Sequence, residues 1–518
     1  MLPLLLLPLA SLASASSTLQ WKNCSTANFP SIEDVVSSSL GSSAGEYLPL
    51  LASARTLDCA ELKVPVDWSQ PHSETITLGM ARYRATNSGK RQGSIIYNPG
   101  GPGGTASISA MAQALGLSFY TNGTVDNYDV IGLDPRGIGM SSRVKCDPEL
   151  WNKRVELSLF PETEEEFDAL VSANKAFGES CREKSGKLFY NLDTTSAARD
   201  LEALRLALGE QKLNWIGLSY GTQLGGAYAE LFPQHVGRMV LDGMLDHSQS
   251  ETDALRTEVS TYEDTLNQFF KWCNETATTE ECPMKGENLP AIFDELVAAA
   301  DETPIDAASC KGNSSGCRPI VTGEDIRTNT QGFLPFVNDR PSVLRVGWPT
   351  LAGHLNATIA GDASGLSSTL AASERDPSFP GLAIGCSDWL HSSTTLPDLT
   401  YKSQMTRYLA PHTQGATQSY LYQSACIGWP IPVGNPPHRL NATAMKKAPP
   451  MLLVNALHDP ETSYVWANGM REQIPSGVLL TRDGSGHTSY SLGGEASRII
   501  DWFLANGTLP RGNTVVDS

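Results

Sequence analysis

The sequence is short of basic charge and of long apolar segments. It has 38 Lys and Arg residues against 56 Asp and Glu residues, which gives a formal net charge of −18. Because a phosphate backbone is repelled by that charge, nucleic acid is not a predicted partner. After the first residues, no apolar stretch is long enough to cross a bilayer. A composition that is 40% hydrophobic and 18% charged is typical of a globular protein.

Motifs for metals, phosphates and organic cofactors are also lacking. The sequence has no C-x-x-C pair and no histidine spacing suited to zinc. G-K-[ST] is absent, which excludes a P-loop, and the glycine-rich stretch at 98–104 does not satisfy G-x-G-x-x-G. We therefore predict no metal and no organic cofactor.

The N-terminus reads "MLPLLLLPLASLASASS" and ends its apolar run in a small-residue site. We predict a signal peptide over residues 1–15, although no Lys or Arg precedes the apolar run as is usual. A buried N-terminal segment is the alternative. Residues 16–60 are either a processed segment or an extra strand region tied by Cys24 and Cys59.

Cysteines and glycosylation sequons both favour a secreted protein. The sequence has ten cysteines, an even number, which is typical of disulfide-bonded proteins of an oxidising compartment. Spacing alone leaves the connectivity of these disulfides open. The sequence-near couples are Cys24 with Cys59, Cys146 with Cys181, Cys273 with Cys282, Cys310 with Cys317, and Cys386 with Cys426. Seven N-x-[ST] sequons begin at Asn23, Asn122, Asn274, Asn313, Asn356, Asn441 and Asn506. We expect secretion to the extracellular space.

Short apolar strands alternate with helical patterns in two parts of the chain. The alternation holds from "GSIIYNPG" to "VGRMVLDG", weakens between about 246 and 447, and resumes at "MLLVNA". Such alternation predicts an α/β fold whose parallel sheet is covered on both faces. We predict a core over 16–245 and 448–518, interrupted by a mainly helical lid insertion over 246–447.

A serine between glycines is the strongest chemical signal. G-x-S-x-G occurs three times, at 41–45, 217–221 and 312–316. Only Ser219 lies between a strand pattern and a helix pattern, where a nucleophile elbow belongs. The elbow strains the serine backbone, and flanking side chains would collide with neighbouring elements. An ordinary βα turn with a capping serine is the alternative.

A serine hydroxyl needs a base, and in this topology the acid and then the histidine follow in the chain. His487 lies in a loop after the last strand pattern, and Asp459 ends the strand before it. Glu461 is the alternative acid. The N–H of Tyr220 and a group from the loop at 98–104 are the predicted oxyanion donors.

Several motifs together resemble the secreted tripeptidyl-aminopeptidase-like α/β-hydrolases, which are related to proline iminopeptidases. The motifs include "YNPGGPGG", "DVIGLDPRGIGMSS", "NWIGLSYGTQLG", "AIGCSDW", "LHDPETS" and "GSGHTSY". The resemblance implies a mostly parallel eight-stranded sheet with a lid, and a triad of Ser219, Asp459 and His487. It also implies that Gly101 is the second oxyanion donor, that residues 134–137 form a structural turn, and that Cys386 and Cys426 pair. The family's D-P-V-T-P-like sequence is "DPETS" here, which changes the wall beside the acid.

The resemblance implies a serine peptidase that releases short units from peptide N-termini. Such an enzyme needs a carboxylate for the α-ammonium group, and Asp388 matches the family best. The other candidates in the insertion are Glu251, Asp253, Glu258, Glu263 and Asp264. A carboxylic-ester or lactone hydrolase on the same scaffold is the alternative, and an inactive binding protein is a third possibility. The predicted partner is a small peptide or ester; the oligomeric state is left open.

Overall fold

The computed structural model describes residues 19–40, 44–312, 316–340 and 345–518. The predicted signal peptide, the sequon at Asn313 and the serines of the motifs at 41–45 and 312–316 lie outside the described residues. Within the described part, no helix has the length and apolar character needed to cross a membrane.

One large sheet organises the protein, and it has nine strands in the order β1-β2-β4-β3-β5-β6-β9-β10-β11. The pairings β1–β2 and β2–β4 are antiparallel, and the other neighbours in the sheet are parallel. The resemblance predicted eight strands; the ninth, β11, is a short edge strand beside β10. The strands of the large sheet are β1 (Leu57–Pro65), β2 (Thr75–Tyr83), β3 (Ser94–Asn98), β4 (Asp129–Leu133), β5 (Leu213–Leu218), β6 (Val236–Asp242), β9 (Leu452–His458), β10 (Val478–Ser485) and β11 (Thr514–Asp517).

Helices cover both faces of the sheet. Because β3 to β5 are apolar on both faces, their side chains alternate between two cores: Ile96 and Trp215 face one, Ile95 and Ile216 the other. The helices before the predicted insertion are α1 (Ser31–Leu40), α2 (Ala44–Ser53), α3 (Ser107–Ala114), α4 (Asn122–Asn127), α5 (Pro148–Val155), α6 (Glu164–Ser185), α7 (Thr194–Ala207) and α8 (Tyr220–Leu231).

The segment between β6 and β9 is mainly helical and has a hydrophobic cluster of its own. Tyr262, Phe269 and Trp348 belong to that cluster. A two-stranded sheet of β7 (Ile305–Asp306) and β8 (Ile320–Val321) lies within the segment. Its helices are α9 (Glu251–Glu275), α10 (Leu289–Glu302), α11 (Gly323–Gln331), α12 (Trp348–Ile359), α13 (Ser378–Asp388), α14 (Leu396–Leu409), α15 (Gln418–Ala425) and α16 (Ala442–Met445). The chain then returns to the core with α17 (Tyr464–Gln473) and α18 (Gly494–Asn506).

Of the region 16–60, predicted as a processed segment or an extra strand region, the described residues include two helices and, from Leu57, the start of β1. Ile32 in α1 and Leu51 in α2 are buried in a core cluster, because both helices present apolar side chains to it. Among the described residues that precede β1, only Lys22 has strand geometry, in an isolated bridge to Cys59.

All ten cysteines form disulfides, and each bonds to its sequence-near partner. Spacing left the connectivity open, and the fold decides it by bringing the partners of each couple together. The bonds join Cys24 to Cys59, Cys146 to Cys181, Cys273 to Cys282, Cys310 to Cys317, and Cys386 to Cys426.

Two of these disulfides connect neighbouring segments of the fold. Cys181 lies on α6 and is buried in the core with Cys146, so this disulfide fastens α6 to the loop before α5. Cys317 is only partly buried and bonds to Cys310 within the inserted segment, where it closes a short loop between β7 and β8.

Asparagines of the six sequons in the described part are all exposed, as glycan attachment requires.

Candidate active site

Ser219 follows β5 directly and precedes α8, in a backbone conformation that side chains rarely adopt. Its φ is 57° and its ψ is −125°. A Cβ at Gly217 would lie 2.2 Å from the carbonyl oxygen of Gly221, and one at Gly221 would lie 2.9 Å from Oδ1 of Asn98. Both glycines are therefore needed for the turn, which raises the serine above the end of its strand.

The glycine loop after β3 packs directly against this turn. Gly100 has a φ of +94°, and a Cβ there would lie 2.6 Å from the Cβ of Ser219 and 3.1 Å from the N of Tyr220. Tyr220 is the first residue of α8, where backbone N–H groups have no partner within the helix. Gly101, the second predicted oxyanion donor beside Tyr220, follows Gly100 in the glycine loop.

Asp459 and His487 are brought together from two different strand ends. Asp459 follows β9, His487 follows β10 by two residues, and Nδ1 of the imidazole is 2.9 Å from each carboxylate oxygen. The N–H groups of Glu461 and Thr462 also donate to Oδ1 of Asp459, at 2.9 and 2.8 Å. Burial acts to raise the pKa of Asp459, but the charge and hydrogen bond of His487 outweigh it and hold that pKa below its ordinary value.

Asp242 ties the serine turn to the histidine loop. Its backbone oxygen accepts the N–H of Ser219 at 2.9 Å, and its Oδ2 accepts the N–H groups of Ser489 and Tyr490 at 2.7 Å each. Sequence analysis did not assign this residue a role. A signal was present, because Asp242 is a polar residue at the end of the apolar strand "VGRMVLD".

Glu461, the alternative acid, contacts the other side of the imidazole. Its Oε2 is 3.1 Å from Nε2 of His487, whereas Asp459 holds Nδ1. Burial alone would lower the pKa of His487, but the two carboxylates raise it to about 9. The neighbouring His458 pairs with Asp264 instead, at 2.6 Å.

A pocket opens beside Ser219 between the core and the segment 246–447. Its empty volume is about 640 Å³, open solvent at the mouth included. The lining carries four carboxylates and no Lys, Arg or His among the described residues. Its residues are Ser219, Leu245, Asp246, Gln249, Glu251, Ala254, Glu258, Trp389, Leu390, Gln418, Ser419, Tyr422, Gln423, Pro437, Glu461, Thr462 and Trp466.

Of the six carboxylates considered for binding an amine, Glu251 and Glu258 line this pocket. Asp388 lies outside it, is fully buried, and accepts the N–H of Thr194, the first residue of α7, at 3.0 Å. Burial raises the pKa of Asp388 to about 7. Thr194 at the start of α7 occupies its carboxylate, which lies outside the pocket, so Asp388 is not our candidate for the amine-binding group.

The remaining three are held elsewhere. Glu263 accepts the N–H groups of His412 and Thr413, at 3.1 and 3.0 Å. Asp264 pairs with His458, and Asp253 is an exposed residue at the start of α9. Sequence spacing could not make this division, because it depends on how the segment folds back over the sheet.

Two family models match the sequence. The model described as "alpha/beta hydrolase fold" matches residues 93–279, and the one described as "TAP-like protein" matches residues 411–516. The chain has the α/β-hydrolase fold. The first match contains Ser219, and the second contains Asp459 and His487.

Curated relatives span most of the chain. A tripeptidyl aminopeptidase of Streptomyces coelicolor is 28% identical over 478 residues, 89% of this chain and 83% of that protein. Serine protease Hip1 of Mycobacterium tuberculosis is 29% identical over 471 residues, 87% of this chain and 86% of that protein. Carboxylesterase B of Mycobacterium tuberculosis is 28% identical over 481 residues, 90% and 87% of the two chains. With these relatives and this fold, the protein is a serine hydrolase.

Proposed function

We propose that this serine hydrolase is a secreted exopeptidase that releases short units from peptide N-termini. Ser219 is the nucleophile, His487 the general base and then general acid, and Asp459 the group that orients the imidazole. Residues 246–447 act as the lid that completes the substrate pocket over the core. The five disulfides and the exposed sequons support secretion after removal of residues 1–15.

The proposed mechanism uses these groups in turn. Neutral His487 takes the proton of Ser219 through Nε2 as the hydroxyl oxygen attacks the peptide carbonyl. The N–H groups of Tyr220 and Gly101 receive the oxyanion. His487 then gives the proton to the leaving amine. In the second half of the reaction His487 takes a proton from the water that attacks the acyl-enzyme and returns it to the oxygen of Ser219.

The acidic side chains of the pocket are the observation that favours a substrate with a free amine. Four carboxylates beside Ser219, with no basic side chain among the described residues of the lining, favour a cationic ligand group. The α-ammonium group of a peptide N-terminus has that charge. Tripeptidyl aminopeptidases among the relatives support this assignment.

Peptide amides with free or acetylated N-termini test this function. We expect faster hydrolysis of the free-amine peptides, and no reaction with either set once Ser219→Ala has removed the nucleophile. A fluorophosphonate should label the wild type and not this variant. Equal rates on free and acetylated peptides would overturn the aminopeptidase assignment, and an unlabelled wild type would favour an inactive binding protein.

Ester hydrolysis is the second candidate. Leu245, Trp389, Leu390 and Trp466 give the pocket an apolar wall that suits an acyl chain, and one relative is named Carboxylesterase B. Running p-nitrophenyl esters beside the peptide amides separates the two candidates. An esterase would hydrolyse the esters and neither class of peptide.

A further inference from the structure

The imidazole of the proposed triad is flanked by carboxylates on both nitrogens. Asp459 holds Nδ1, and Oε2 of Glu461 is 3.1 Å from Nε2. Nε2 is the nitrogen that has to accept the serine proton. It is buried and makes no hydrogen bond within the described residues, so its contact with Glu461 is electrostatic. Glu461 therefore acts on His487 by charge, and Nε2 of His487 remains able to form a hydrogen bond with another group.

The backbone of Glu461 is fixed, and its side chain is partly buried and partly exposed. Its N–H donates to Oδ1 of Asp459 at 2.9 Å, which locks the turn onto the acid. Its side chain is 36% exposed and lines the pocket that contains Ser219. The carboxylate is thus placed to contact His487 and a bound ligand from the same backbone position.

Glu461 also differs from the other carboxylates of the pocket in its partners. It has only His487 as an ion-pair partner among the described residues. The other three are held by protein groups: Asp246 by Ser248 and Gln249, Glu251 by Lys402 and Ser392, and Glu258 by the backbone N–H groups of Gln418 and Ser419. The carboxylate of Glu461 accepts no hydrogen bond among the described residues, so a ligand ammonium would compete there with the charge of His487.

Resting on the aminopeptidase function proposed above, we propose that Glu461 receives the α-ammonium group of the substrate. Until it does, its carboxylate keeps His487 in the charged form that cannot take the serine proton. When the ammonium pairs with Glu461, the imidazolium loses its Nε2 proton to solvent. The neutral nitrogen then accepts the proton of Ser219, so recognition of the amine and activation of the base are one event.

The charges around the pair are consistent with this coupling. The two carboxylates raise the pKa of His487 to about 9, against its burial. Burial raises the pKa of Glu461, and the charge of His487 opposes that shift. The other charged groups that act on the pair or line its pocket are Asp242, Asp246, Glu251, Glu258, Arg345 and Asp459, and Arg482 acts in turn on Asp242 and Asp459.

Glu461→Gln tests the proposal, because it removes the charge and keeps the size of the side chain. The first measurement is the pH dependence of labelling by a neutral fluorophosphonate, which reports the base without using a peptide. We expect the rising limb to move down by about one pH unit or more in the variant, and labelling at pH 7 to be about tenfold faster. The second is the ratio of kcat/KM for free-amine and acetylated peptide amides, which should fall about tenfold or more.

Two further variants control the experiment. Glu472→Gln makes the same chemical change on α17, where the side chain is 74% exposed, and should leave both measurements unchanged. Glu461→Val places the residue of the resembled family's pattern there and should repeat the effects of Glu461→Gln if folding of the first variant is in doubt.

The outcomes separate the two levels of the proposal. If the wild type labels and prefers the free amine, but Glu461→Gln leaves either measurement unchanged, the role of Glu461 is overturned and the aminopeptidase function stands. If the wild type neither labels nor prefers the free amine, both are overturned.

Discussion

At the scale of single residues, the serine turn and the glycine loop have almost no space between them. Gly100→Ala would place a methyl group 2.6 Å from the Cβ of Ser219 and 2.5 Å from the carbonyl oxygen of Leu218, at a φ of +94°. Because the loop has to move and carries the predicted oxyanion donor Gly101, we expect kcat to fall on the order of 10²–10³. Steady-state kinetics on the favoured peptide amide measures this.

Gly116→Ala is the matched control for that substitution. Gly116 has a similar φ of +90°, but a Cβ there has no neighbour within 4 Å. It shares the backbone strain without the collision at the site, so kcat should stay near the wild-type value. If both variants lost activity equally, the crowding at Ser219 would not be the cause.

Asp459 is expected to act on the histidine through its charge. Asp459→Asn should lower kcat by about 10⁴, because the amide no longer stabilises the imidazolium or fixes its tautomer. The carboxylate contributes to the raised pKa of His487. Its removal should therefore lower that pKa, and the residual activity should rise with pH through a lower midpoint. A pH–rate profile of kcat/KM measures both effects.

A second Asp–His pair supplies the control for this variant. Asp264 binds Nδ1 of His458 at 2.6 Å but lies outside the pocket. Asp264→Asn should keep the wild-type rate and pH profile. Activity of Asp459→Asn above about a tenth of wild type would mean that Asp459 is not the acid of the triad.

At the scale of helices and strands, the alternating strands and helices of the core could be predicted from the sequence. The elements near the two ends of the chain could not. The strands around Ser219 and Asp459 are short apolar runs bounded by turn residues, and such local patterns survive in the fold. β11 is a short edge strand with one neighbour, and α1 and α2 lie in a region whose sequence left two alternatives open. Their positions depend on packing against distant residues, which a local pattern does not encode.

The disulfide between Cys386 and Cys426 joins two elements that shape the pocket. It links α13 to the end of α15, which contributes Gln418 and Tyr422 to the lining, across a sequence separation of 40. Replacing both cysteines by serine should cost ~4 kcal/mol of unfolding free energy, by the entropy of a loop of that length. We also expect kcat/KM to fall, because α15 loses its tie to α13. Chemical denaturation and steady-state kinetics measure the two effects.

Cys273 and Cys282 give the comparison. Their disulfide spans a separation of 9 and lies in the cluster of the inserted segment, away from the pocket. Replacing this pair should cost ~2.6 kcal/mol and leave kcat/KM unchanged at a temperature where the variant is folded. Equal losses of activity in the two variants would show that global stability, and not α15, controls the pocket.

At the scale of the whole molecule, the sheet edge shared by the three predicted catalytic residues could be predicted from the sequence. The residues that line the pocket beside them could not. Each of the three follows a strand, so topology alone predicts that they share one edge of the sheet. The pocket is built where residues 246–447 fold back over that edge. Glu258 reaches it and Asp388 does not, although both looked suitable in sequence. Only long-range packing decides between them.

The net charge of −18 and the carboxylates beside Ser219 have the same sign, and together they should draw cationic substrates to the site. Salt screens such attraction over about 10 Å at 0.1 M ionic strength. We therefore expect kcat/KM for a free-amine peptide amide to fall as NaCl rises from about 0.02 to about 0.5 M. The value of kcat should change little, because it describes the complex that has already formed. A neutral p-nitrophenyl ester is the control, since its approach is not steered by charge and its kcat/KM should stay level. A peptide whose kcat/KM did not respond to salt would show that the negative charges do not contribute to substrate capture, whatever group performs the chemistry.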